Sequence, residues 1–235
     1  MNSSFSGAIL SAVTHRKLPV VADIKPVSPR DGELVADRNP VDLAKTLETA
    51  GVCALSVVTE PVHFGGSVEL LQQVANAVSL PVLRKDFITS VAQIDETVDC
   101  GAAAILLTIA TIPELKAPHL YRRAVSMGLE PLVEVHTVSE LKFALGLEPR
   151  PAIIGINNRD ITALERDDGD VQVTEILAPL VPEEVVVLSE SAILSADDAR
   201  RAFEAGAHGV LVGTAILKDK DPAACVRALA GTKGI

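Results

Sequence analysis

The chain has 235 residues and a formal charge of −10, from 31 acidic and 21 basic side chains. That balance argues against a nucleic-acid or anionic-membrane surface, while a local cluster of Lys and Arg still admits a small anionic ligand. Residues are 48% hydrophobic but only 3% aromatic, with no Trp, so the core must be built from Val, Ile, Leu and Ala, which suits parallel strands buried on both faces.

Eight short apolar runs recur in order, at 20–25, 52–58, 81–85, 103–108, 131–135, 153–157, 185–189 and 208–213. Each is bounded by Gly, Pro or polar residues, and each reads as a strand. Helical spacing fills the intervals. Leu43, Leu47 and Ala50 precede Gly51, a helix C-terminus signal. Ser90 precedes Val91, Ile94 and Val98 as an N-cap, and Ser195 does the same ahead of Ala199 and Ala202. Asp221-Pro222 opens a last helix with a cap and a proline at its first position. The segments LETAGVCALSV, TVDCGAAAILL and FEAGAHGVLVG each run helix, Gly, strand, as a repeated unit would. Alternating strands and helices predict parallel βαβ units. Eight of them predict an α/β fold, a single (β/α)8 TIM barrel over residues 1–235, with a short N-terminal extension. The open doubly wound sheet is the competitor, but GxGxxG and GxxxxGK[ST] are absent.

In such barrels the strand C-termini form the active rim. Asp23 and Lys25 share a face of the first strand. Lys85 and Glu134 end the third and fifth, Asn157 and Arg159 lie at the end of the sixth, and Glu190 and Ser191 end the seventh. Ionisable groups are rarely buried unpaired, so this set implies a polar pocket rather than a plug. Asp23 is placed to orient Lys25 by a charge-assisted hydrogen bond. The lysines suit either acid–base work or a Schiff base. A phosphate cradle is expected after strands seven and eight, from Ala192 in SESAILS and Gly213 and Thr214 in GTAI, completed by Ser28 after strand one. The loop HFGGS, 63–67, offers Phe64 as a mobile lip over a ring-bearing substrate, with Phe87 opposite. Cys53, Cys100 and Cys225 are far apart and lack a CxxC, so thiols in a reducing cytoplasm are expected. Five histidines form neither HxH nor HExxH, and no metal site or cofactor is expected. No apolar run reaches the roughly 20 residues of a membrane helix, and the N-terminus shows no leader pattern; a cytoplasmic location is expected.

The stretches ADIKPVSP, SVVTEPVHFGGS, PVLRKDFI, PLVEVH, IIGINNRDI, LSES and GVLVGTAIL, in that order over about residues 5–230, resemble the indole-3-glycerol phosphate synthase family. The resemblance implies a cofactor-free lyase of tryptophan biosynthesis. It would close the indole ring of 1-(2-carboxyphenylamino)-1-deoxyribulose 5-phosphate with loss of CO₂ and water. It implies that Lys85 is the general acid of ring closure, that Glu134 is the acid–base group of dehydration, and that Lys25 engages the substrate carboxylate. It further implies that Asn157 and Arg159 line the anthranilate side, that Glu190 and Ser191 belong to the strand-seven rim, and that Ser28, Gly213 and Thr214 hold phosphate. Contacts with other tryptophan-pathway enzymes come with it. Three positions depart from the family pattern: Asp23 replaces Glu, Ala192 replaces Gly and Thr214 replaces Ser. About 19 residues precede strand one, a shorter extension than the family often has. Two other readings stay open: a paralogue acting on another phosphorylated ketose or enamine, and a non-catalytic phosphate-ligand-binding pathway subunit.

Overall fold

Eight parallel strands close on themselves because both faces of each are apolar and need a neighbour on every side. The computed structural model describes residues 4–14, 18–161, 164 and 167–231. The strands are β1 (Val20–Ile24), β2 (Ala54–Val58), β3 (Val82–Lys85), β4 (Ala104–Thr108), β5 (Glu130–Val135), β6 (Ile153–Asn157), β7 (Val186–Glu190) and β8 (Gly209–Val212). They pair in sequence order, and β1 joins both β2 and β8 to close the (β/α)8 barrel. Each boundary falls within two residues of the run read from the sequence.

The helices begin and end where cap chemistry directs. In α2 (Pro40–Ala50) the Asn39 side chain accepts from Val41 N and Asp42 N, and Gly51 closes the helix at φ 99°. Ser90 and Gln93 form a capping box at α4 (Val91–Asp99), as do Ser195 and Asp198 at α8 (Ala196–Glu204). Asp221 caps α10 (Pro222–Ala230). The others are α3 (Val68–Ala77), α5 (Ala117–Ser126), α6 (Val138–Leu145), α7 (Gln172–Leu177) and the one-turn α9 (Thr214–Lys218). Outward-facing strand residues such as Val20, Val57, Ile105, Val133 and Val187 pack against these helices in the larger core.

A second core lies inside the barrel, at the N-terminal ends of the strands. Val21, Ala54, Leu83, Leu132, Ile153, Val186 and Leu211 meet there. Phe5 and Ile9 of α1 (Phe5–Thr14) complete it, both fully buried. Burial of such side chains stabilises by roughly 1.5–3 kcal/mol each. Ser6 fixes the helix in place, donating through both its N–H and its hydroxyl to Glu130 at the start of β5. The sequence reading marked these residues only as a short extension; they form the plug of the lower barrel mouth.

Candidate active site

The rim is organised by the two-residue period of the strands. Inner positions that are apolar near the bottom become polar near the top: Asp23, Ser56, Lys85, Thr108, Glu134, Asn157 and Glu190. At the centre stands Lys85. Its Nζ donates to Glu190 Oε2 at 3.1 Å and lies 3.5 Å from Glu134 Oε2. Glu134 accepts from Thr108 Oγ1 at 3.0 Å and from Asn157 Nδ2 at 3.2 Å. Asp23 accepts from Ser56 Oγ at 2.6 Å. These groups come from seven different strands, and the sheet alone brings them together.

Glu190 is wholly buried. Desolvation pushes its pKa up, the charge of Lys85 pulls it back and that of Glu134 raises it again; the result is about 7. Its other oxygen, Oε1, has no hydrogen-bond partner. Gly155 explains how the carboxyl fits, since a Cβ there would lie 2.0 Å from Oε1.

Neighbouring residues hold this centre without facing it. Arg84, on the outer side of β3, donates to Thr59, Thr97, Glu96, Asp86 and the Gln93 carbonyl. Lys85 is thereby fixed inward. Asn158 donates to Ser189, to Glu190 O and to Ser191 O, and accepts from Thr174. It locks β7 and the following loop to β6. Both residues were legible as polar neighbours of rim residues, but nothing in the sequence marked them as supports.

Two pockets open on the centre. One is walled by Val58, Phe64, Phe87, Leu106 and Ile161 and floored by Lys25, Lys85 and Glu134. The rings of Phe64 and Phe87 lie 6.4 Å apart, and Lys25 Nζ is 5.6 Å from the Phe64 ring centre. Phe64 is 6% exposed, so it is a packed wall and not a free lip. Glu60 pins the turn by accepting from the N–H groups of Val62, His63 and Phe64. Burial opposes ionisation of Glu60, but those donors outweigh it and hold its pKa below the usual carboxylate range. Gly66 lets the turn return tightly, for a Cβ there would meet Val58 O at 2.1 Å. The sequence reading missed Glu60, although a carboxylate three residues before HFGGS was its signal.

The other pocket is polar. Lys25, Lys85, Arg159, Ser191, Ala192, Gly213 and Thr214 line it together with Asp23. Ser191 and Ala192 both adopt left-handed backbone, at φ 62° and 56°. Ser28 is not among the lining residues; its hydroxyl instead accepts from Arg30 N and Asp31 N in the loop after β1. Gly213 packs against Asp23, whose Oδ2 would be 3.1 Å from an added Cβ. Asn157 accepts from Arg159 N, which sets the course of the chain past the rim. Among the described residues no group of three or more His, Cys, Asp or Glu is arranged to hold a metal ion.

A family model described as indole-3-glycerol phosphate synthase matches residues 1–229. The indole-3-glycerol phosphate synthase of Pyrococcus furiosus is 45% identical over 208 residues, covering 88% of this chain and 90% of the relative. That of Thermococcus kodakarensis is 42% identical over 213 residues, 91% of this chain and 92% of the relative. That of Halalkalibacterium halodurans is 42% identical over 217 residues, 92% and 83% respectively.

Proposed function

The chain belongs to the indole-3-glycerol phosphate synthase family, decarboxylating lyases of tryptophan biosynthesis, and on that premise we propose how its rim performs the ring closure. The substrate joins an anthranilate ring to a ribulose phosphate. The ring and its carboxylate are assigned to the pocket of Phe64, Phe87 and Leu106 by its apolar walls, with Lys25 at its floor for the carboxylate. The phosphate is assigned to the polar pocket, where Arg159, Lys25 and Lys85 offset its charge beside the Ser191–Ala192 loop and Thr214. The reacting carbonyl then falls between the two pockets, and Lys85 borders both.

Lys85 protonates the carbonyl oxygen as the aromatic carbon attacks. Loss of CO₂ restores the aromatic ring. Glu134, held by Thr108 and Asn157, takes the methylene proton and returns one to the departing hydroxyl. Glu190 keeps Lys85 in place, and Asn157 and Arg159 position the substrate from β6. Asp23 braces the Lys25 side through Ser56. Every proton has a donor among the side chains, so the route uses no cofactor. The observation that carries this reading is the Lys85–Glu134–Glu190 cluster at the junction of an apolar and a cationic pocket. The same reading places the protein in the cytoplasm, in keeping with free thiols at Cys53, Cys100 and Cys225; among the described residues no helix is long and apolar enough to cross a membrane.

The test is indole fluorescence on addition of 1-(2-carboxyphenylamino)-1-deoxyribulose 5-phosphate, with EDTA present throughout. Turnover is expected. Activity lost in EDTA and restored by a divalent ion would overturn the side-chain route, and a silent protein would overturn the substrate.

A further inference from the structure

The reaction has a proton balance that the two pockets do not close. From the ionised carboxylate, the carbonyl oxygen takes two protons to leave as water, and the methylene carbon gives one back. Each turnover therefore consumes one proton from solvent. Lys85 gives it and must be recharged, yet its side chain is inside the barrel mouth, which bound substrate fills.

Beside His136 lies a third cavity of about 430 Å³, room for several waters. It is bordered by His136, Glu140, Asp160, Asp167, Arg159 and Asn157, and by neither Lys25 nor Lys85. His136 stands between this cavity and the reaction centre. Its Nδ1 is 3.2 Å from Glu140 Oε2, which also accepts from the His136 N–H at 2.8 Å. Its Nε2 is buried without a hydrogen-bond partner and lies 3.9 Å from Glu134 Oε1. Glu134 Oε2 is in turn 3.5 Å from Lys85 Nζ. An imidazole flanked by two carboxylates is best satisfied with a proton on each nitrogen.

We propose that His136, acting through Glu134, relays to Lys85 the proton that each turnover consumes. Once the ring closes the 3.9 Å gap, the His136 Nε2–H bond breaks as an O–H bond forms on Glu134 Oε1; the carboxyl group then turns, and that O–H bond breaks as neutral Lys85 regains its third N–H. The ring regains its proton from water in the cavity behind it, while Nδ1–H stays with Glu140. Burial pushes the His136 pKa down, but the Glu140 bond and the charges of Glu134, Glu140 and Glu190 outweigh it and raise it. Arg159 opposes, and Asp160 and Asp167 add to, the negative surroundings of the same cavity.

The inference rests on the ring-closure reading, and the experiment separates the two. His136→Asn keeps a donor where Nδ1 reaches Glu140 and removes Nε2; His136→Gln offers an amide near Nε2 that carries no transferable proton, and serves if the first fails to fold. With excess substrate in a stopped-flow instrument, the first turnover is expected at the wild-type rate, because Lys85 begins charged. Later turnovers should slow at least about tenfold and recover on addition of imidazole. A variant that matches wild type in the steady state would overturn the relay, as would one slowed equally in its first turnover or indifferent to imidazole. A wild-type protein that forms no indole would overturn the ring-closure reading itself, and the relay with it.

Discussion

The two ends of the barrel interior are made by the same eight strands and have opposite chemistry. At the lower end the inner positions are Val21, Ala54, Leu83, Ala104, Leu132, Ile153, Val186 and Leu211, sealed by Phe5 and Ile9. Two or four residues further along, the same inner face carries Asp23, Ser56, Lys85, Thr108, Glu134, Asn157 and Glu190. One end excludes water and gains free energy by it. The other buries charges whose desolvation opposes folding and is only partly offset by pairing. Stability and chemistry are thus separated along each strand by one or two turns of the pleat. Substitutions at the two ends should separate in the same way.

The largest effect is expected at the upper end. Lys85→Ala removes the ring-closure acid, and kcat should fall by about 10²–10⁴. Binding of a phosphate-bearing product analogue should stay within about tenfold, because Lys25 and Arg159 still line the polar pocket. The melting temperature should change little, since Glu190 can hold a proton once its cation is gone. Steady-state kinetics and calorimetric binding check this. A raised KM with kcat intact would make Lys85 an anchor only.

Phe5→Ala probes the lower end. Removing a fully buried Phe should cost about 3–5 kcal/mol of stability. The rate constant of the folded fraction should not change, because Phe5 belongs to the apolar cluster at the lower end, away from the Lys85–Glu134–Glu190 centre. Denaturant melts set against kcat at low temperature separate the two. Loss of kcat in step with stability would show that the plug and the rim are coupled.

Glu190→Gln should move stability and turnover in opposite directions. The folded-state pKa is raised from 4.5 to about 7, with burial the main cause. Between those values the native state binds more protons than the unfolded chain, so this group's contribution falls as pH rises from about 4.5 to 7 and is flat above. The shift corresponds to a cost on the order of 3 kcal/mol at pH 8. Gln imitates the neutral form at every pH, though its NH₂ would meet the unpartnered space over Gly155. A gain of about 1–3 kcal/mol is therefore expected at pH 8, vanishing near pH 4.5, with turnover lost. Melts at both pH values test the sign.

Much of this contrast was legible in the chain. The β-branched runs and cap residues located every barrel strand because propensity, pattern and turn chemistry agree there. The period of two in ADIK predicts which side chains share the inner face. What sequence did not disclose was set by three-dimensional placement, in one case between distant segments and in others within a single turn. The seating of Phe5 in one cluster with Leu83 and Val186 depends on barrel closure, and no local pattern encodes it. Ser28 reads as a phosphate ligand by its place after β1, and what the sequence did not show is that its hydroxyl also accepts from the backbone of its own turn. His136 read as one unclustered histidine until β5 and α6 brought Glu134 and Glu140 to either side of its ring.

The smallest effect lies on the rim itself. Ala192 stands where the family pattern has Gly, and its φ of 56° is left-handed backbone that a Cβ resists. Asn158 imposes the conformation by gripping Glu190 O and Ser191 O on the preceding residues. Ala192→Gly removes the strain, worth about 1 kcal/mol. It also frees the unfolded chain, which takes back part of that. It further opens the contact with Gly169, where an added Cβ would sit 2.8 Å from that of Ala192. The net gain should be at most about 1 kcal/mol, read as a rise of a few degrees in melting temperature. Affinity for inorganic phosphate should hold or improve, because the backbone path does not change and the methyl leaves the pocket wall. A fall in stability would show that the Ala192 methyl packs more than its backbone suffers. The loop would then have adapted to alanine, and the charged end of the barrel would not be strained at this position.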